Sequence, residues 1–256
     1  MIRKKVTVIS FLVCVLALSS VSLLYSQGQQ AQSDKEQATV VQEGVMTERQ
    51  REHSRLFKGY GTGKKLKDVG AEVPTGVLVK RGPGMPVGED GPPQSLAGFL
   101  EGLACNADAV IVGVVKNKAS QLTEDGEFAF TDYDLTVEQV IKDNKLSHLE
   151  PNVLLTVTRP GGRIQLSGHI IEAEDASFKP LTKGQRYILF LKFIPQTGAY
   201  TSLNSMSTYG LGQNSIRIET EEAVRSDLQK ETPSTFQTKI SAAVGDCQNA
   251  PKGGKS

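Results

Sequence analysis

The chain has no tryptophan, only three histidines and only three cysteines, so the side chains that most often hold metals, stack on bases or act as nucleophiles are scarce. His53, His148 and His169 fall in no metal-ligand spacing such as HExxH, so no zinc signature is present. A GxSxG elbow is missing, and neither Cys105 nor Cys247 has a histidine at a known nucleophile spacing. Without a CxxC pair, redox chemistry is disfavoured as well. Excess charge is also missing: 29 Lys and Arg oppose 28 Asp and Glu, and aromatics make up 6%. That composition lacks both the charge funnel and the stacking platform of a nucleic-acid binder. Neither a catalytic residue, a cofactor nor a metal is implied.

What is present begins with an address. Arg3, Lys4 and Lys5 precede an apolar stretch over residues 6–25 that ends among small residues, the pattern of a secretory signal peptide. Residues 1–26 are therefore expected to be a signal peptide, with cleavage near Ser20-Val21-Ser22 or after Ser26. The alternative is an uncleaved N-terminal anchor, which would be the chain's one link to a membrane. Either way the remainder is expected to be extracytoplasmic, secreted or periplasmic. Cys14 sits inside the apolar run behind Val13, where lipid attachment would need a small residue, so lipidation is discounted. Once the signal is removed, Cys105 and Cys247 remain in an oxidising compartment and are expected to form one disulfide.

Residues 27–94 differ in composition from residues 95–248. QGQQAQSDKEQ, TERQREHSR and RGPGMPVGEDGPP are poor in apolar residues and rich in turn formers, which predicts a disordered polar linker. Within it, GYGTGKK lacks the spacing, the Ser or Thr after Lys64 and the preceding strand of a phosphate-binding loop. Arg49, Arg51, Arg55, Lys58, Lys64, Lys65 and Lys67 form a basic cluster opposed locally by little more than Glu52, read as a solvated linker surface. EVPTGVLVKRG is a candidate edge strand.

From Ser95 the pattern becomes structural. Leu96, Phe99, Leu100 and Leu103 recur at helical spacing behind a Ser95 cap. Residues 109–115 form a continuous apolar run suited to a buried strand, and Glu124-Asp125-Gly126 supplies a hairpin turn. Tyr133, Leu135, Val137 and Ile141 then share one strand face, with Asp132, Asp134, Thr136 and Glu138 on a wet outer face. Val153, Leu155 and Val157 alternate up to Pro160-Gly161-Gly162, RIQLSGHII reads as a returning arm, and residues 186–194 form the most apolar strand before a turn at 195–198. Ala223, Val224 and Leu228 fall on a helical stripe. After Thr232-Pro233, Phe236, Ile240, Ala243 and Val244 predict a terminal helix stopping at Gly245, with residues 249–256 a flexible tail.

Five or six strands flanked by short helices, with almost no βαβ alternation, predict a mainly β fold. The expected architecture is a small OB-like antiparallel β-barrel over residues 95–248.

CNADAVIVGVV, the strand ILFLKF and a terminal helix leading to a cysteine resemble the netrin-like OB-fold domain of tissue inhibitors of metalloproteinases. The AD-apolar-VG start, the PGG turn and the LFL strand also resemble a group of secreted bacterial proteins. The netrin-like resemblance implies that Cys105 opens the first barrel strand and is tied to Cys247 after the last helix. It does not imply inhibition. Those inhibitors ligate zinc through a mature N-terminal cysteine, and Cys105 is internal.

The function expected on these grounds is an exported, non-catalytic binding or interaction module for a protein or envelope polymer, with no nucleic-acid partner. Two alternatives are a structural envelope component and a hydrolase using the carboxylates of Asp132, Asp134 and Glu138.

Overall fold

A computed structural model describes residues 38–61, 63–72, 77–82, 95–213, 215–218, 228 and 231–249. The fold is mainly β. Eleven strands and four helices occur among the described residues: β1 (Thr39–Val40), α1 (Glu48–Arg55), α2 (Leu66–Glu72), β2 (Val77–Gly82), α3 (Leu96–Asn106), β3 (Ala109–Leu122), β4 (Ala129–Lys142), β5 (Leu154–Pro160), β6 (Gly162–Leu166), β7 (His169–Asp175), β8 (Arg186–Ile194), β9 (Ala199–Ser202), β10 (Thr208–Leu211), β11 (Ile216–Ile218) and α4 (Pro233–Asn249).

The larger sheet runs β11-β10-β8-β3-β4-β5-β9, and β9 also pairs with β8. Five strands thereby form a ring, β3-β4-β5-β9-β8, in which every contact is antiparallel except that of β5 with β9. Alternate residues point into it: Ile111, Val115, Tyr133, Leu135, Val137, Leu155, Val157, Leu189, Leu191 and Tyr200 make one apolar cluster. Interior tyrosines keep their hydroxyls satisfied at the ring's end, where Tyr133 accepts from the Leu181 amide and Tyr187 from that of Thr182.

The opposite faces of β3 and β8 are covered too. Val110, Val112, Ile188 and Phe190 pack with Leu100 and Leu103 of α3 and Phe236, Ile240 and Val244 of α4. Burial on both faces is why these two strands read as unbroken apolar runs, whereas β4 alternates. The Cys105–Cys247 disulfide joins α3 to α4, with Cα atoms 5.3 Å apart. Lys142 of β4 donates to the carbonyls of Ala104 and Ala107, both at 2.7 Å, so it closes the C-terminal end of α3; burial pulls its ammonium below the ordinary lysine value.

A second sheet, ordered β1-β6-β7-β2, was not foreseen. The returning arm is its centre: β6 and β7 form a hairpin whose turn residues Ser167 and Gly168 both have positive φ, the geometry of a tight two-residue turn. The edge strand foreseen in EVPTGVLVKRG exists as β2, parallel to β7. Leu66, Leu122, Phe128, Ile164 and Ile171 form this sheet's own core.

The expectation of a disordered linker fails for much of residues 38–82. Thr47 and Gln50 form a reciprocal capping box on α1, and His53, Phe57 and Leu66 are buried. The folded unit therefore begins at Ala38 rather than Ser95. Residues 1–37, including the signal region and Cys14, lie outside the described residues. So do 83–94, most of the predicted helix around 223–228, and 250–256 of the predicted tail. Gly245 does not stop the terminal helix; α4 continues to Asn249.

Pro160-Gly161-Gly162 carries the chain from one sheet to the other. Gly162 has φ +156°, and a Cβ there would lie 2.4 Å from Thr131 Oγ1 and 2.6 Å from Ser120 Oγ. Those two hydroxyls bond each other at 2.9 Å, and Ser120 Oγ accepts from the Arg163 amide. Gly162→Ala is expected to destabilise the protein by about 1–3 kcal/mol through overpacking and backbone strain, measured by urea unfolding. A change within about half a kcal/mol, typical of a surface position, would mean that the junction yields.

Candidate functional site

The outer face of β4 is where sequence reasoning put the carboxylates, and α1 lies on it. The three acids take three different partners. Asp134 accepts from Thr156 Oγ1 at 3.0 Å, Glu138 pairs with Arg186, and Asp132 accepts from His53 Nδ1 at 2.8 Å. Each carboxylate is thus engaged by its own partner, and no group of three metal-ligating side chains occurs among the described residues.

His53 is wholly buried. Its Nε2 lies 2.9 Å from Thr197 Oγ1, in the Pro195 to Gly198 turn between β8 and β9. Thus α1, β4 and the β8–β9 turn meet at one imidazole. The next residue, Ser54, accepts through its hydroxyl from the Glu124 amide at 2.7 Å, which ties α1 to the β3–β4 turn. Phe57 stacks on Phe130 of β4 with centroids 5.6 Å apart and meets Tyr60 edge-on. The helix is thereby held across β4 from one turn to the other. His148 is exposed in the loop after β4, and His169 is half-buried at the start of β7, so the three histidines belong to three separate elements.

Sequence reasoning missed the cluster because its members lie 79 and 144 residues apart. The available signal was the Thr47-Glu48-Arg49-Gln50 capping box, with His53, Ser54 and Phe57 following on one helical face.

The basic cluster is also rewritten by folding. Arg51 pairs with Glu48 and Glu124, Arg55 with Glu52, Lys64 with Glu72, and Lys65 and Lys67 with Glu43. Glu48 and Glu52 pair within the helix itself, whereas Glu43 and Glu124 are brought in from further along the chain, so much of the cluster faces carboxylates and attraction to an anionic surface by charge alone is weakened.

Beside α1, residues 40–46 with Gln50 and Arg51 face residues 121–124 across an open cleft of about 500 Å³. Val40 and Val45, 72% and 69% exposed, stand beside polar Gln42, Gln121 and Thr123.

Behind the aromatic cluster, burial pushes the Tyr60 hydroxyl up to about 12, with the Asp175 carboxylate adding to the effect. Asp175 is itself held above its ordinary value by burial, against the opposing hydrogen bond from Ser177 and the charge of Arg159. Arg159, 1% exposed, lies over the Phe178 ring at 5.2 Å. Because Tyr60 binds its proton more tightly when folded, its contribution is complete below its ordinary value of 10.0 and is lost as pH rises towards about 12. Urea midpoints should fall across that interval, and more steeply in the wild-type protein than in Tyr60→Phe. Parallel curves would mean that Tyr60 does not set the alkaline limit.

No protein-family model and no curated protein matches this sequence. The chemistry open to the site is therefore bounded by its own geometry.

Proposed function

We propose that the chain is an exported binding module built on an OB-like β-barrel, related to netrin-like domains and directed at a protein or cell-envelope polymer. Five strands closed into a ring, one parallel contact and helices packed outside are consistent with such a small Greek-key barrel. Cys105 lies in the last turn of α3 rather than at the start of β3, and Cys247 within α4 rather than after it; the support for a netrin-like relation is the bridge from the segment ahead of the ring to the terminal helix. Export rests on the signal pattern in residues 1–26 and on the bridged cysteines. Among the described residues, no helix is long and apolar enough to cross a membrane.

The observation that carries a binding role is the cleft between residues 40–46 and 121–124, whose mixed lining suits a polymer or peptide rather than an ion. Nucleic acid is not part of the proposal, since the nearby basic side chains face carboxylates. Zinc-directed inhibition is not part of it either, for want of a mature N-terminal cysteine. The test is site-specific photo-crosslinking in the native envelope. A probe at Val45, on the cleft, should capture a discrete partner that a probe at Leu146, in the β4–β5 loop and 67% exposed, does not. Identical capture at both positions would remove the cleft from the proposal.

A further inference from the structure

Thr197, His53 and Asp132 form a hydrogen-bonded line drawn from three separate parts of the fold. An ionised carboxylate only accepts, so His53 donates its Nδ1–H to Asp132. In the neutral ring, Nε2 is then left to accept from the Thr197 hydroxyl. Hydroxyl, base and orienting carboxylate in that order are the arrangement that activates an oxygen nucleophile. Of the three, only the imidazole is fully buried. The imidazole is sealed from solvent, whereas Thr197 is half-buried in a turn whose neighbours Pro195, Gln196 and Gly198 are exposed.

We propose that Thr197 is an acyl-accepting nucleophile, with His53 as its general base and Asp132 as the positioning residue, and that its substrates are activated acyl esters. Thr197 Oγ1 bonds to the ester carbonyl carbon while its proton passes to His53 Nε2. The bond from that carbon to the leaving oxygen then breaks, and the leaving oxygen takes the proton. The products are an O-acyl threonine and the hydroxyl compound released from the ester, and the acyl group stays on Thr197 because the base is sealed from water. Every atom and proton is supplied by the chain and the ester. This centre goes beyond the binding role and does not depend on it.

The turn selects the substrate class. The amides of Thr197 and Gly198 both donate to the Ile194 carbonyl, so neither is free to stabilise an oxyanion. Losing one such donor typically costs about 10²–10³ in rate. An amide or alkyl ester has a poor leaving group and does not tolerate that loss; an aryl ester does.

The full chain should be incubated with p-nitrophenyl acetate and its acetylated residues mapped by mass spectrometry, with exposed Thr182 as an internal reference. Thr197 is expected to acetylate at least about 100-fold faster than Thr182, the scale of general-base assistance. His53→Gln should bring it to the Thr182 rate, and Thr197→Val should remove the adduct at that position only. Equal labelling of Thr197 and Thr182 in the wild-type chain would overturn the proposal, and that comparison requires no variant to fold. Fast Thr197 labelling that persists in a folded His53→Gln variant would overturn it equally.

Discussion

Cys247→Ser is expected to lower unfolding stability by up to about 5 kcal/mol. The bridge spans 142 residues, and on the chain-entropy model a loop of that size restricts the unfolded state by roughly that amount, with measured values often smaller. Packing adds little to the figure. Cys105 is exposed and Cys247 only half-buried, so serine leaves no core cavity. The loss should appear as a reduced urea midpoint, and treating the wild-type protein with reductant should reproduce it. Because α3 and α4 still share Leu100, Leu103, Phe236 and Ile240, the variant should retain its secondary structure at low denaturant. A midpoint shift equivalent to less than about half a kcal/mol, within the range of neutral surface changes, would show that the bridge constrains little.

Leu189→Ala is expected to lose about 2–5 kcal/mol, from lost transfer free energy and the cavity left behind. Leu189 is fully buried in the ring, where β8 pairs with β3 through Ile111 and with β10 through Thr208. Three strands meet at this position, so the surroundings cannot collapse onto the void without shifting hydrogen-bonded backbone. Leu154→Ala provides the comparison. That leucine is 64% exposed at the start of β5 and should change stability by no more than about half a kcal/mol. Similar losses at the two positions would mean that the ring interior is not a packed core.

The clamp made by His53 bears on how the N-terminal segment is held. The helix has eight residues, too few to be stable alone in water. Its place on β4 depends on the imidazole contacts to Asp132 and Thr197, the Ser54 hydroxyl and the Phe57–Phe130 stack. The same imidazole therefore positions the helix and, under the nucleophile proposal, serves the Thr197 hydroxyl.

The elements from Ser95 onward were legible because local signals and tertiary demands agreed. Alternation in Tyr133, Leu135 and Val137 gave one face of β4, although Ile141, expected on that face, packs with the opposite cluster where register shifts interrupt the pairing with β3, and the runs in β3 and β8 announced strands covered on both sides. Turn chemistry located the hairpins at Gly126 and Gly198, each with positive φ. Where local and tertiary preference diverged, the reading failed. Residues 47–57 looked like linker because α1 buries a histidine, a serine and, just beyond its end, one phenylalanine instead of an apolar stripe. Gly245 looked like a stop, yet packing of Ala243 and Val244 carries α4 past it.

Sequence alone determined the mainly β class, most strand faces in the ring and the terminal helix, because periodicity is a property of neighbouring residues; the Cys105–Cys247 pair was reached only by setting Cys14 aside with the signal region. Tertiary structure decided the ring closure through β9, the second sheet, the pairing of Lys65 and Lys67 with Glu43, and the meeting of Asp132, His53 and Thr197. Each of these joins groups that are far apart along the chain. Their partners are selected by shape, hydrogen-bond satisfaction and charge only once the strands have paired, and no local pattern encodes that choice.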